Sequence, residues 1–169
     1  MQLIICYEST KGKSDKIYIN EFLKYFYPNK LRGNKLDWVH LDSKTKCQQH
    51  DHEINDKKAK YAYTHKSARS VVIFCLDSDY GRPASSSNDE IIQFCSNHGY
   101  EIIWFHRDIE EVLIKKHFTT SKQKTVAATN FAKNKAISKL DLSKLYNVNI
   151  KSKTFGTSNV KYVFDKYLK

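Results

Sequence analysis

Asp77 and Asp79 stand two residues apart, directly after the apolar run Val71-Val72-Ile73-Phe74-Cys75-Leu76. If the chain stays extended, that spacing turns both carboxylates to one side, where they can share a hard cation through oxygen. Glu8 follows another apolar run, residues 2–7, and Glu110 lies just beyond a third, residues 100–105. Carboxylates gathered at strand exits repel one another unless protons or a divalent cation sit among them. Oxygen-only donors favour Mg²⁺ or Mn²⁺ over zinc. The plainer reading of Asp77-Ser78-Asp79 is a polar turn, helped by Gly81 and Pro83.

Such a cluster needs a particular scaffold. The unbroken apolar run 71–76 suits a strand buried on both faces, as in a parallel sheet. Residues 2–7, 36–41 and 100–105 are further strand candidates, separated by helical patterns at about 15–27, 51–63 and 85–98. Strands alternating with helices predict βαβ units: an α/β fold with a compact parallel sheet of about four strands and helices on both faces, residues 71–76 central. All strand exits then share one edge, where open α/β sheets bind ligands. Ser14 and Asp108 are expected helix N-caps, and Ser87 with Glu90 fits a capping box. Past residue 118 the pattern becomes helical: 126–140, a short turn at 142–146, and a last helix capped by Ser158. The expected division is an α/β domain over 1–118 and a basic helical extension over 119–169, packed on the same domain.

The net charge of +11 is unevenly spread. Residues 1–111 hold equal numbers of basic and acidic side chains, whereas 112–169 hold 13 lysines against only Asp141 and Asp165. A neutral, acid-bearing body joined to a basic third is the footprint of polyanion binding. Lys13, Lys115, Lys116, Lys122, Lys124, Lys133 and Lys135 are the expected phosphate contacts, and RNA or DNA the expected partner. The competing reading is a generally lysine-rich surface. An aromatic content of 13% excludes wholesale disorder, and no apolar run is long enough to span a membrane. Residues 1–8 lack a basic segment and turn acidic early, so no export signal is read and the expected compartment is the cytoplasm. Cys6, Cys75 and Cys95 lie in apolar runs and are expected as buried thiols.

Two motif fragments carry less weight. Gly12-Lys13-Ser14 ends like a phosphate-binding loop but lacks the upstream glycine. Cys47, His50 and His52 lack a second cysteine pair or an established zinc spacing, so an exposed loop is the preferred reading.

Ile4-Ile5-Cys6-Tyr7-Glu8 followed by Ser14-Asp15-Lys16-Ile17-Tyr18-Ile19, then Phe74-Cys75-Leu76-Asp77-Ser78-Asp79, resembles the Toprim domain. Within that family the likeness is to the RloB-like and OLD-type defence nucleases. Tyr100 to Phe118, with Asp108, Ile109, Glu110 and His117-Phe118, is similar to their strand, Phe-Glu helix and closing His-Phe. The resemblance covers residues 2–118. It implies a metal-dependent nuclease acting on RNA or DNA, in phage or mobile-element defence. Asp77 and Asp79 would bind Mg²⁺ or Mn²⁺, Glu8 would be general acid/base or a further ligand, and Glu110 a ligand or an orienting group. The family carries Glu-Gly after its first strand, whereas here Ser9 follows Glu8 and Gly12 follows Lys11. Either the turn is longer and Glu8 keeps its role, or the catalytic acid is lost at Lys11. The alternative function is therefore a degenerate Toprim module that binds nucleic acid or a partner protein without cleaving; a second copy of the chain is a further expected partner. A nucleotide-binding protein of the flavodoxin or Rossmann kind fits less well, because the glycine-rich fingerprint is missing.

Overall fold

The computed structural model describes residues 1–8, 13–66, 68–81, 83, 87–149 and 154–169. The loop holding Lys11 and Gly12, the serines at 85 and 86, and the connector Lys151–Lys153 lie outside the described residues. Four strands, β1 (Gln2–Tyr7), β2 (Lys35–His40), β3 (Ser70–Asp77) and β4 (Glu101–Phe105), form one all-parallel sheet in the order β2-β1-β3-β4. The apolar run 71–76 is interior, in register with β1 through Ile5 opposite Ile73 and with β4 through Phe74 opposite Ile102. This is the expected α/β architecture.

Alternation along the strands builds two cores. Leu3, Ile5, Val71, Ile73 and Cys75 face α1 (Ser14–Phe26), α5 (Ile109–Ile114), α6 (Ser121–Lys133) and α7 (Val160–Leu168). Ile4, Cys6, Val72, Phe74 and Leu76 face α3 (Asp51–Thr64) and α4 (Asn88–His98). A short helix α2 (Pro28–Arg32) joins α1 to β2, and a 3₁₀ segment, Lys44–His50, precedes α3. The link from β1 runs over one face through α1, and the link from β3 over the other through α4. A crevice therefore opens between the exits of β1 and β3, which is where such sheets bind ligands.

The C-terminal segment shares this core. Ala128, Phe131, Val163 and Phe164 are buried in the same cluster as β1 and α1. It also closes the open edge of β4. Asn159 Oδ1 accepts from Trp104 N–H and its Nδ2 donates to the Ile102 carbonyl, both at 2.8 Å, imitating a neighbouring strand. An antiparallel bridge from Ser158 to Phe105 extends that cover, so the edge is shielded from pairing with another chain.

Several local expectations are corrected. Ser14 is the first helical residue of α1, not its cap; Lys13 holds the cap position without a side-chain bond. Ser87 adopts helical backbone angles and makes no side-chain cap bond, so the capping box does not form. α6 begins five residues before the expected 126, because Thr120 caps it by accepting from Gln123 N–H. It stops at Lys133, and Lys135 turns left-handed at φ 50° before a 3₁₀ turn over Ala136–Lys139. Asp108 caps α5 as expected, accepting from Glu111 N–H at 2.9 Å. Among the described residues no helix is long and apolar enough to cross a membrane.

Candidate functional site

The parallel sheet brings the exits of β1 and β3 side by side, and with them Glu8 and Asp77. Asp77 ends β3 on the α5/α6 side, where its Oδ1 accepts from Ile109 N–H at 3.0 Å. Glu110, one residue further along α5, is completely buried. Asp79 is the exception. The extended chain stops at Asp77, and Asp79 is left-handed at φ 51°. The expected same-side pair of carboxylates therefore does not form. Asp79 instead meets Lys44 from the opposite face, Oδ2 to Nζ at 3.1 Å. Lys44 is itself only 1% exposed and also donates to the carbonyls of Asp77 at 3.0 Å and Ser78 at 3.2 Å. Its ammonium fastens the loop that leaves β3.

Two groups that sequence reading did not place in the acid cluster complete it. Asp15, in the first turn of α1, is 8% exposed and held by Ser14 Oγ at 3.0 Å. Lys124 reaches in from α6, its Nζ 3.0 Å from Glu110 Oε2. Lys124 is thus a partner of the acid cluster, which corrects its expected place among the free phosphate contacts. Asp15, Asp77 and Glu110 share the field of this one ammonium, and Glu8 adds its charge to theirs.

The electrostatics follow from that crowding. Burial, then the charge of Glu110, push Asp15 up to about 8, against the pull of Lys124 and Ser14. Asp77 is driven well above the ordinary carboxylate range by burial first and Asp15 second, with Lys124 opposing. Glu8 is raised by burial and by Asp79, while Lys44 and the backbone N–H groups of Lys44 and Asp77 favour its charged form. For Lys124, burial works against the charge, but Asp77, Glu110 and Asp15 outweigh it and raise the group. Four buried oxygens here have no hydrogen-bond partner among the described residues: Glu8 Oε2, both oxygens of Glu110, of which Oε2 has only the Lys124 ion pair, and the Tyr18 hydroxyl, which burial and then Glu110 also raise.

Hard oxygen donors, excess negative charge and orphaned oxygens suit a divalent cation. Among the described residues, however, no three His, Cys, Asp or Glu side chains are grouped so as to hold one ion. Protons and Lys124 balance the carboxyls as they stand. The Cys47-His50-His52 fragment is dispersed: Cys47 is buried and donates to the Lys44 carbonyl, whereas His52 is exposed beside Asp56.

Of the other expected phosphate contacts, Lys13, Lys115, Lys116, Lys122, Lys133 and Lys135 are all exposed. Lys116 and Lys122 border a groove of about 510 Å³ between the end of α5 and α6. His117 Nδ1 lies 2.7 Å from Asp108 Oδ2, fixing the chain between the two helices. His106, at the exit of β4, is fully buried with both ring nitrogens unpartnered among the described residues, and burial lowers it to about 4.

No protein-family model matches the chain. No curated protein matches it either. Among solved structures, a de novo designed Rossmann fold protein is similar over 78% of this chain and 98% of that one, at 9% identity and a TM-score of 0.32. The fold is therefore read from the strands themselves.

Proposed function

We propose that the protein is a metal-dependent phosphodiesterase acting on RNA or DNA, of the Toprim type and most like the RloB-like and OLD-type defence nucleases. The observation that carries the reading is the meeting of Glu8, Asp15, Asp77 and Glu110 at the switch point of the sheet, with the Lys124 ammonium among them. Raised carboxyl groups in a crevice are a signature of sites built for chemistry or cation binding.

These carboxyls are not grouped around one point among the described residues, so Mg²⁺ or Mn²⁺ would have to draw Asp77 and Glu110 together, with Asp15 beside them and Glu8 as a further ligand or as the acid and base. When bound, the ion supplies charge neutralisation at a scissile phosphate and a more acidic water. The chain supplies the rest. Glu8 carries its proton more tightly than an ordinary glutamate, so it can pass one to a leaving oxygen or take one from water. Ile109 N–H keeps Asp77 aimed. The lysines around α5 and α6 draw in the phosphate backbone, releasing counterions as they do so. An antiviral setting belongs to the same proposal and is supported by the motif likeness alone.

A second reading has its own observation. The pairs Lys124–Glu110 and Lys44–Asp79 neutralise acids internally, as a non-cleaving binding module would. One experiment separates the two: labelled RNA and DNA incubated with Mg²⁺, Mn²⁺ or chelator, using wild type, Asp77→Asn and Glu8→Gln. The nuclease reading expects cleavage that needs metal and is lost in Asp77→Asn. Binding without cleavage by wild type under every metal condition leaves the binding module.

A further inference from the structure

We infer that the groove between α5 and α6 takes an unpaired nucleobase, so that the strand engaged is single-stranded. The inference rests on the proposed action on nucleic acid and names the form of the substrate.

The groove is apolar at its floor and basic at its rim. Phe118, Val126 and Phe131 supply the apolar surface, Lys116 and Lys122 the charge, and its lining holds no carboxylate. That composition suits a flat, apolar ring attached to a phosphate and disfavours an acidic peptide helix, which needs no amide readers. Asn130 and Asn134 also line it, and among the described residues neither side-chain amide is engaged in a hydrogen bond. An asparagine amide offers one acceptor and two donors, enough to meet a base edge. At about 510 Å³ the groove has the size of a small-ligand site. A paired base inside a duplex cannot enter it, whereas a splayed base can stack on its aromatic wall.

Its position ties it to the acid cluster. Phe131 meets the ring of Tyr18 edge to face at 5.0 Å, and the Tyr18 hydroxyl feels Glu110, Asp15 and Asp108. Ile114 lines the groove one helical turn beyond Glu110, and Lys124 follows the lining residue Gln123. The groove thus lies on the two helices that carry Glu110 and Lys124.

The test is binding in chelator, where no cleavage occurs, by fluorescence anisotropy of labelled 12-mers. The probes are single-stranded RNA and DNA, a matched duplex, and single strands with one abasic site moved along the sequence. Val126 is exposed on the groove and Thr129 is exposed on α6 outside its lining, so Val126→Glu is compared with Thr129→Glu as an equal change of charge. Asn130→Ala is a second, milder groove variant. Single strands should bind more tightly than duplex. An abasic site at one or two adjacent positions should cost about tenfold in affinity. Val126→Glu should weaken binding well beyond Thr129→Glu, and Asn130→Ala should flatten any base preference.

Equal binding of duplex and abasic strands, or equal effects of the two glutamate variants, overturns the inference while leaving metal-dependent cleavage to stand on its own assay. Abasic-sensitive binding without cleavage supports the groove and removes the nuclease. A shift from dimer to monomer in Val126→Glu, seen by sedimentation, overturns the inference in favour of a second copy of the chain.

Discussion

Asp15→Asn isolates the electrostatics of the cluster. The substitution keeps the size of the side chain and an acceptor for Ser14 Oγ, and removes only the ionisation. Asp15 ionises near 3.8 when unexceptional and near 8 in the folded chain, so the folded protein binds this proton more tightly than the unfolded one. Its contribution to stability is complete below the lower value and is lost as pH rises toward and through the upper one. The slope is about 1.4 kcal/mol per pH unit at its steepest. Asparagine has no such slope. The variant and wild type should therefore be equally stable at about pH 4, and the variant should lead by on the order of 5 kcal/mol at about pH 8.5.

Urea unfolding across that pH range, in chelator and at fixed ionic strength, measures the difference, with the m-value checked for constancy. Other titrating groups are common to both proteins and largely cancel. Millimolar Mg²⁺ should then raise the wild type at about pH 8.5 and narrow the gap, because a cation replaces the lost proton. Parallel stability curves for the two proteins would refute the reasoning. They would mean that Asp15 is ionised throughout and that its neighbours do not hold a proton on it.

Lys124→Met removes the ammonium that Asp15, Asp77 and Glu110 share, and should cost about 3 kcal/mol at neutral pH. Glu110→Gln added to it should restore much of the loss, because no buried carboxylate is then left without its ammonium; chemical denaturation of the two variants checks this. Lys44→Met removes the ammonium from Asp79 and a donor from the Asp77 and Ser78 carbonyls, and should likewise cost about 3 kcal/mol, seen as a lower melting temperature. Neutralising the exposed Lys115, Lys116 and Lys122 should reduce the salt slope of RNA or DNA binding by about one for each phosphate that is no longer neutralised, read from affinities at several salt concentrations.

What the sequence disclosed follows from period and order. The runs 3–7, 71–76 and 102–105 are apolar without interruption, as suits doubly covered strands, and their sequence positions bring Glu8 and Asp77 to one sheet edge. Asp108 declared itself as a cap by standing before Ile109 with an acidic first turn behind it. The rest depends on contacts between elements. Asp15 reads locally as a residue that suits a helix N-terminus, and nothing near it signals Glu110, which lies far along the chain. Lys124 reads as one more lysine in a basic stretch. Lys44 lies in a polar segment of weak pattern, so its burial under the β3 exit had no sequence sign. Asp79 misled for a backbone reason: its left-handed φ undoes the two-residue alternation on which the pairing with Asp77 depended.

The distribution of charge in space is sharper than its distribution along the chain. Glu8, Asp15, Asp77 and Glu110 converge from β1, α1, β3 and α5, whereas the lysines around α6 stay outside, Lys124 excepted. A phosphate drawn in by the outer lysines would meet repulsion at the switch point if all four carboxyls were ionised. Protons on Asp15 and Asp77 cancel part of that charge, but they leave as pH rises. Lys124 cancels another part and is tied to Glu110. A divalent cation would cancel what the protons and Lys124 leave. In the proposed reaction, neutralisation of the carboxyls therefore precedes productive seating of the phosphate, and the basic rim governs attraction while the acidic floor governs chemistry.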